Sequence, residues 1–186
     1  MEILNFTTPQ HLRAWLATNC KQSDGIWVRI YKKPSGITSV TYVEALDQAL
    51  CFGWIDGQRR RYDEQSWLQR FTPRRSTSGW SKINTQHAER LIKSGEMTPA
   101  GLKEVNAAKA DGRWAAAYDS FGSATIPEDF LKKLAKDKAA SAFFKTLNKT
   151  NLYSIAYRLQ TAKKPETREK RIQAIIGKLS RGEKFH

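Results

Sequence analysis

The sequence predicts an α+β chain: a small antiparallel sheet in the N-terminal half with helices packed on it, and a helical C-terminal half. Three observations carry that expectation. Residues 25–32 alternate, with Ile26, Val28 and Ile30 on one face and Trp27, Arg29 and Tyr31 on the other, the period-two signature of a half-buried strand. Residues 54–62 and 66–72 read as two more strands, joined by a short polar turn at Asp63-Glu64, and so short a connection favours antiparallel pairing. From Trp80 onward the period becomes helical.

The elements follow in order. Thr8 and Pro9 open a helix over residues 8–19 as N-cap and first helical residue, with Leu12, Trp15 and Leu16 as its apolar stripe. Pro34-Ser35-Gly36 breaks the first strand. Thr41 and Glu44 form a capping box for a helix over 41–52. Tyr42, Ala45, Leu46, Ala49 and Leu50 make its core face, with Glu44, Asp47, Gln48 and Cys51 opposite. Strand parity places Trp67, Gln69 and Phe71 on one face and Leu68, Arg70 and Thr72 on the other, and Pro73 stops the run. After Ser76-Thr77-Ser78-Gly79, Trp80, Ile83, Ala88, Leu91 and Ile92 trace a helical stripe closed by Gly95. Thr98-Pro99 opens the next helix, which ends near Asp111-Gly112. Pro127, Glu128 and Asp129 start a short helix with acids at its positive end, and residues 139–147 and 151–162 are helical. Pro165 opens the last helix, whose face is Arg168, Ile172, Ile175, Ile176 and Leu179. Gly122 to Thr125 is the best linker, giving an α+β core over 1–122 and a helical segment over 123–186 that packs on it, or one domain over 1–186.

With 40% hydrophobic and 11% aromatic residues, the chain has enough apolar surface to build a core, which argues against disorder. The formal charge is +14, which favours anionic partners: phosphate-bearing small molecules, nucleic acid, or an acidic surface. The charge is zoned. Residues 1–57 are neutral, 58–93 are basic, 94–130 are acidic, and 131–186 carry fifteen Lys and Arg against four Asp and Glu. Two cysteines, Cys20 and Cys51, are too few for a disulfide framework. The first ten residues have no signal-peptide character, and no apolar run reaches membrane-spanning length, so the expected location is cytoplasmic without membrane insertion. The sequence is silent on oligomeric state.

Four places could carry chemistry. Arg74 and Arg75 precede Ser78 and a predicted helix start at Trp80, with Asn84 one turn on; free amides and guanidinium forks there suit an anion, and Arg70 on the preceding strand can converge on it. The alternative is an ordinary N-cap with solvated arginines. Asp56, beside Trp54 at a strand start, is a candidate acid or base, or else caps a turn or pairs with Arg70. Cys51 lies near a helix C-terminus and four residues from Asp47, which disfavours a thiolate. The basic tail, including Lys163, Lys164, Arg168, Arg171 and Lys178 with Tyr153 and Tyr157 nearby, could track a nucleic-acid backbone, or be a solvated helix face. His11, His87 and His186 have no ligand spacing and no CxxC is present, so no metal is expected. No P-loop or dinucleotide glycine pattern occurs, so no cofactor is expected.

Specific runs add a resemblance. Glu44-Ala45-Leu46-Asp47-Gln48-Ala49-Leu50-Cys51-Phe52-Gly53-Trp54-Ile55-Asp56-Gly57, then Arg70-Phe71-Thr72-Pro73-Arg74-Arg75 with Trp80-Ser81 and Asn84, resemble the YdeI/OmpD-associated proteins. Met97-Thr98-Pro99-Ala100-Gly101, Asp111-Gly112-Arg113-Trp114, Ala117-Tyr118 and the tail Ala162-Lys163-Lys164-Pro165-Glu166-Thr167-Arg168 continue it in order to Arg171-Ile172. The resemblance covers roughly residues 25–186 and implies a role in bacteriocin protection or stress; it transfers no catalytic residue. Three functions follow as expectations: binding of an anionic ligand by Arg70, Arg74, Arg75, Ser78, Trp80, Asn84 and Trp54, with Lys163 and Arg168 joining; an enzyme using Asp56 in that cleft; or non-specific nucleic-acid binding.

Overall fold

A computed structural model describes residues 1–185, and His186 lies outside the described residues. The chain divides into two compact units, one of residues 1–80 and 84–115, the other of residues 81–83 and 116–186.

The first unit is built on a four-stranded sheet in the order β1-β2-β4-β3: β1 (Ile3–Asn5), β2 (Ile26–Tyr31), β3 (Trp54–Arg61) and β4 (Ser66–Pro73). β2, β4 and β3 are antiparallel as the short turn requires, while β1 adds in parallel to β2. That three-residue strand was not anticipated; at three residues it is too short to show a period. In register, Ile26 faces Phe71, Val28 faces Gln69 and Ile30 faces Trp67, so one face of the sheet is apolar apart from the buried Gln69. Helix α1 (Pro9–Asn19) starts as expected, with the Thr8 hydroxyl accepting from the His11 amide. Helix α2 (Tyr42–Cys51) carries the full Thr41/Glu44 capping box. The two helices pair, and Leu12, Leu16, Ala45, Leu46, Ala49 and Leu50 are buried with Val28 and Phe71. Gln48 and Cys51 are buried too, so α2 is covered on both sides rather than amphipathic.

α2 ends at Gly53, whose φ of +76° is the left-handed value that a side chain resists. Helix α4 (Pro99–Ala110) packs closely against that end: Thr98 Oγ1 donates to the Cys51 carbonyl at 2.5 Å, and a Cβ on Gly101 would sit 2.6 Å from the Leu50 carbonyl oxygen. Helix α3 corrects two expectations. It begins at Lys82 rather than at Trp80 and runs to Lys93. Its buried residues are Asn84, Thr85, Ala88 and Leu91, whereas Ile83 and Ile92 are exposed. The stripe is rotated because Asn84 is drawn inward by a hydrogen bond described below.

The second unit holds α5 (Glu128–Leu134), α6 (Lys138–Phe144), α7 (Lys149–Gln160) and α8 (Pro165–Ser180). Phe130, Leu134, Ala140, Leu147, Ile155, Leu159, Ile172, Ile175 and Leu179 form its core. Asp137 and Asn148 cap α6 and α7, each accepting from the amide three residues on. Carboxylates pin the helices. Asp129 takes a forked pair from Arg168 at 2.9 and 2.7 Å. Asp119 holds Lys82 at 2.6 Å and accepts from Gln160 at 2.7 Å. The Arg168 guanidinium keeps the Asp129 carboxyl below its ordinary range, and Lys82 and then Gln160 do the same for Asp119.

Two outcomes follow from this packing. Gly101→Ala forces a methyl into the Leu50 and Cys51 carbonyls and lowers the unfolding free energy by about 1–3 kcal/mol; urea unfolding measures it, and an unchanged midpoint would contradict the close approach. A carboxyl with a depressed folded pKa contributes stability above its unfolded pKa of about 3.9, and loses it as pH falls through the lower folded value. Asp129→Asn and Asp119→Asn therefore each flatten the acid limb of a stability–pH curve below about pH 4. Acid profiles that superimpose on the parent's would show those ion pairs to be idle.

Candidate functional site

β3 and β4 leave a groove of about 340 Å³ lined by Ile55, Asp56, Gly57, Gln58, Arg70, Thr72, Pro73, Arg75 and Ser78. Four expected residues, Asp56, Arg70, Arg75 and Ser78, thus meet in one place. β4 supplies Arg70 on the face where it sits opposite Trp27 of β2. The loop after β4 supplies Arg75 and Ser78. That loop is a turn closed on itself: the Ser78 amide donates to the Arg75 carbonyl at 2.9 Å and the Arg75 amide donates to Ser78 Oγ at 3.2 Å.

Neither Arg70 nor Arg75 forms an ion pair among the described residues. The Arg70 Nε is shielded from solvent and has no acceptor, a condition that costs on the order of 1–3 kcal/mol when uncompensated. Asp56 is the groove's one acid, and its oxygens are engaged: Tyr42 Oη donates to Oδ2 at 2.8 Å and Asn84 Nδ2 donates to Oδ1 at 3.2 Å. Its partners are neutral groups on α2 and α3, not Arg70. The carboxylate is thereby a clamp between β3 and two helices, and this bond turns Asn84, 6% exposed, into the core.

The other expected residues lie elsewhere. Arg74 is buried: its guanidinium carbon lies 3.6 Å from the centroid of the Trp80 ring, and its Nη1 donates to the Gly79 carbonyl at 2.9 Å. Its backbone amide donates to the Gly53 carbonyl. Arg74 and Trp80 are the frame of the loop and do not line the groove. α3 begins at Lys82, so the helix start expected at Trp80 lies two residues further on. Trp54 is buried, stacks edge-on with Trp15 at 6.0 Å and donates its indole N–H to the Cys20 carbonyl; with Arg74 it borders a separate depression of about 430 Å³. In the second unit Arg168 is consumed by Asp129 and the Leu159 carbonyl, and Lys163 is exposed.

Burial pushes the Cys51 thiol up, against opposing hydrogen-bond and charge effects of Arg13, which disfavours the thiolate. His87 has a partner that its own helix could not reveal: Nδ1 lies 2.6 Å from Oδ1 of Asp47 on α2, and Arg90 Nη2 donates to Oδ2 of the same carboxylate at 2.6 Å. The spacing of His87 and Arg90, three apart on one helix face, was the only sequence signal for it. Among the described residues no three His, Cys, Asp or Glu side chains group as metal ligands, and no helix is long and apolar enough to cross a membrane.

The comparisons with known proteins divide the chain in two. Residues 4–104 match the model of a domain of unknown function (DUF8412). Residues 123–182 match the family described as bacteriocin-protection, YdeI or OmpD-associated. The motifs from Glu44 to Gly101 fall in the first match, and the tail from Ala162 to Ile172 in the second. No curated protein and no solved structure matches. The first match spans more than half of the chain, so the protein belongs to the DUF8412 family, and its C-terminal segment carries the YdeI/OmpD-associated, bacteriocin-protection signature.

Proposed function

We propose that the protein serves a bacteriocin-resistance or stress role by binding a small anionic, phosphate-bearing ligand in the groove between β3 and β4. One observation carries the reading: Arg70 and Arg75 line a single groove with no carboxylate paired to either. Guanidinium forks match the oxygens of phosphate. The groove's volume lies at the lower end of the range of small-molecule sites, which starts near 300 Å³. Ser78 adds a hydroxyl, and the neutral donors on Asp56 spread its charge away from the arginines. The bacteriocin part of the proposal draws on the match over residues 123–182.

The groove reading and the frame reading of the arginines separate by substitution. Arg70→Ala and Arg75→Ala each weaken pyrophosphate binding about tenfold or more, since a charge-assisted hydrogen bond contributes about 1.5–3 kcal/mol, while leaving the melting temperature near the parent's. Arg74→Ala instead destabilises the fold by about 3 kcal/mol through loss of the Trp80 stack and the Gly79 bond. Calorimetric titration with pyrophosphate and thermal melts read the two effects. Undiminished binding in both Arg70→Ala and Arg75→Ala would remove the groove from consideration.

A further inference from the structure

The second unit contains a larger pocket, of about 580 Å³, formed by two helix faces of matching periodicity. α7 and its C-cap contribute Ser154, Tyr157, Arg158 and Thr161, and α8 contributes Arg171, Ala174, Ile175 and Lys178; both sets follow the spacing i, i+3, i+4, i+7 of one helix face. Tyr153 and Phe185 complete the lining. Phe185 is held in place by its backbone amide, which donates to Asn151 Oδ1 at 2.8 Å.

The walls divide into an aromatic part and a cationic part. Tyr153 and Tyr157 lie 6.0 Å apart at 35°, and Tyr157 meets Tyr118 edge-on at 5.0 Å. Tyr157 nevertheless remains 39% exposed, so its ring is not consumed by the core. The cations are Arg158, Arg171 and Lys178, and none has a carboxylate within ion-pair distance among the described residues. Arg171 spends Nη1 on the Arg158 carbonyl at 2.6 Å and on Thr161 Oγ1 at 3.1 Å, which fixes the guanidinium and leaves Nε and Nη2 without a protein acceptor. Arg158 lies 4.5 Å and Lys178 5.2 Å from the Phe185 ring centroid. Glu183 has its carboxylate bonded to Arg181 at 2.7 Å and held low first by Arg181 and then by Lys178. Among the described residues no acid lines the pocket.

Three cations of one sign in a concave site, next to rings that stay accessible, fit a ligand that is itself both anionic and flat. We infer that this pocket binds a nucleoside monophosphate, its base against Tyr157 and Tyr153 and its phosphate between Arg171 and Lys178. Stacking on tyrosine tolerates any base, so the site selects the class rather than the base. A pocket of this volume is concave enough to enclose a small ligand, which favours a mononucleotide over an extended strand. The site is separate from the groove between β3 and β4 and does not depend on it.

Calorimetric titration of the full chain with AMP, adenosine and inorganic phosphate tests this. AMP binds about tenfold more tightly than either fragment, because only it engages both walls. Lys178→Gln and Tyr157→Leu each weaken AMP binding about fivefold or more, with thermal melts confirming that both fold, and Arg75→Ala leaves it unchanged. Absence of AMP binding at millimolar concentration overturns the inference. So does phosphate binding as tightly as AMP in the Arg75→Ala chain, where the groove between β3 and β4 no longer contributes, or loss of AMP binding in Arg75→Ala alone. An oligouridine that binds more tightly than AMP with a steep salt dependence replaces the pocket by a nucleic-acid surface and overturns it as well.

Discussion

The stack of Arg74 on Trp80 is the constraint on which the groove in the first unit depends. A guanidinium 3.6 Å from an indole centroid, with its Nη1 on the Gly79 carbonyl, closes the loop after β4 onto itself. Arg113 braces the same loop from α4's end: it donates to the Ser78 carbonyl at 3.0 Å and is held by Asp111 at 2.7 Å. Trp114 packs on Trp80 at 4.8 Å. With the loop fixed at both of its ends and at Ser78, the next arginine, Arg75, closes the turn through its backbone, while its side chain forms no ion pair among the described residues and lines the groove that Arg70 also lines. Two adjacent arginines thus have opposite roles. One is spent on the fold, and the other lines the groove.

Much of this fold was legible, because local chemistry decided it. Thr8-Pro9, the Thr41/Glu44 box and Pro165 mark helix starts through groups that act within four residues, whereas the Asn148 cap, which starts α7 two residues before the expected Asn151, went unread. Alternation named β2 and β4 because a sheet face is a local periodicity. Errors arose where a long-range partner overrode the local pattern. Ile83 and Ile92 suit an apolar stripe, yet Asn84 and Thr85 are inside, since Asp56, twenty-eight residues earlier, needs the Asn84 amide. Gln48 looked like a surface residue of α2, but it accepts from Arg13 of α1.

The candidate site was legible in the same uneven way. Arg70, Arg75, Ser78 and Asp56 converge as the strand and loop order suggested, since β3 and β4 are neighbours and the loop returns beside them. Arg74 was indistinguishable from Arg75 in sequence, because which of two adjacent arginines meets Trp80 is a matter of loop geometry. Arg168 looked available in a strongly basic tail, but its forked bond to Asp129 spans thirty-nine residues. On the facing sides of α7 and α8, Arg158, Arg171 and Lys178 of the tail line one pocket instead. There Arg171 is positioned by a carbonyl and a hydroxyl rather than by an acid, so its charge stays uncompensated. Within a net charge of +14, some cations staple elements through carboxylates, as Arg168 does with Asp129, while Arg70 and Arg75 line one concave place and Arg158, Arg171 and Lys178 another.

The central claim is that Arg70 and Arg75 act together on one anion. Arginine-selective ¹⁵N NMR on the Nε–Hε groups, recorded while pyrophosphate is added, tests it most directly. The account predicts that the Arg70 and Arg75 signals move together along one saturating curve, with the Ser78 amide, while the Arg74 signal stays in place under its indole. Movement of the Arg74 signal alone, or no change at Arg70 and Arg75 at saturating pyrophosphate, would contradict it.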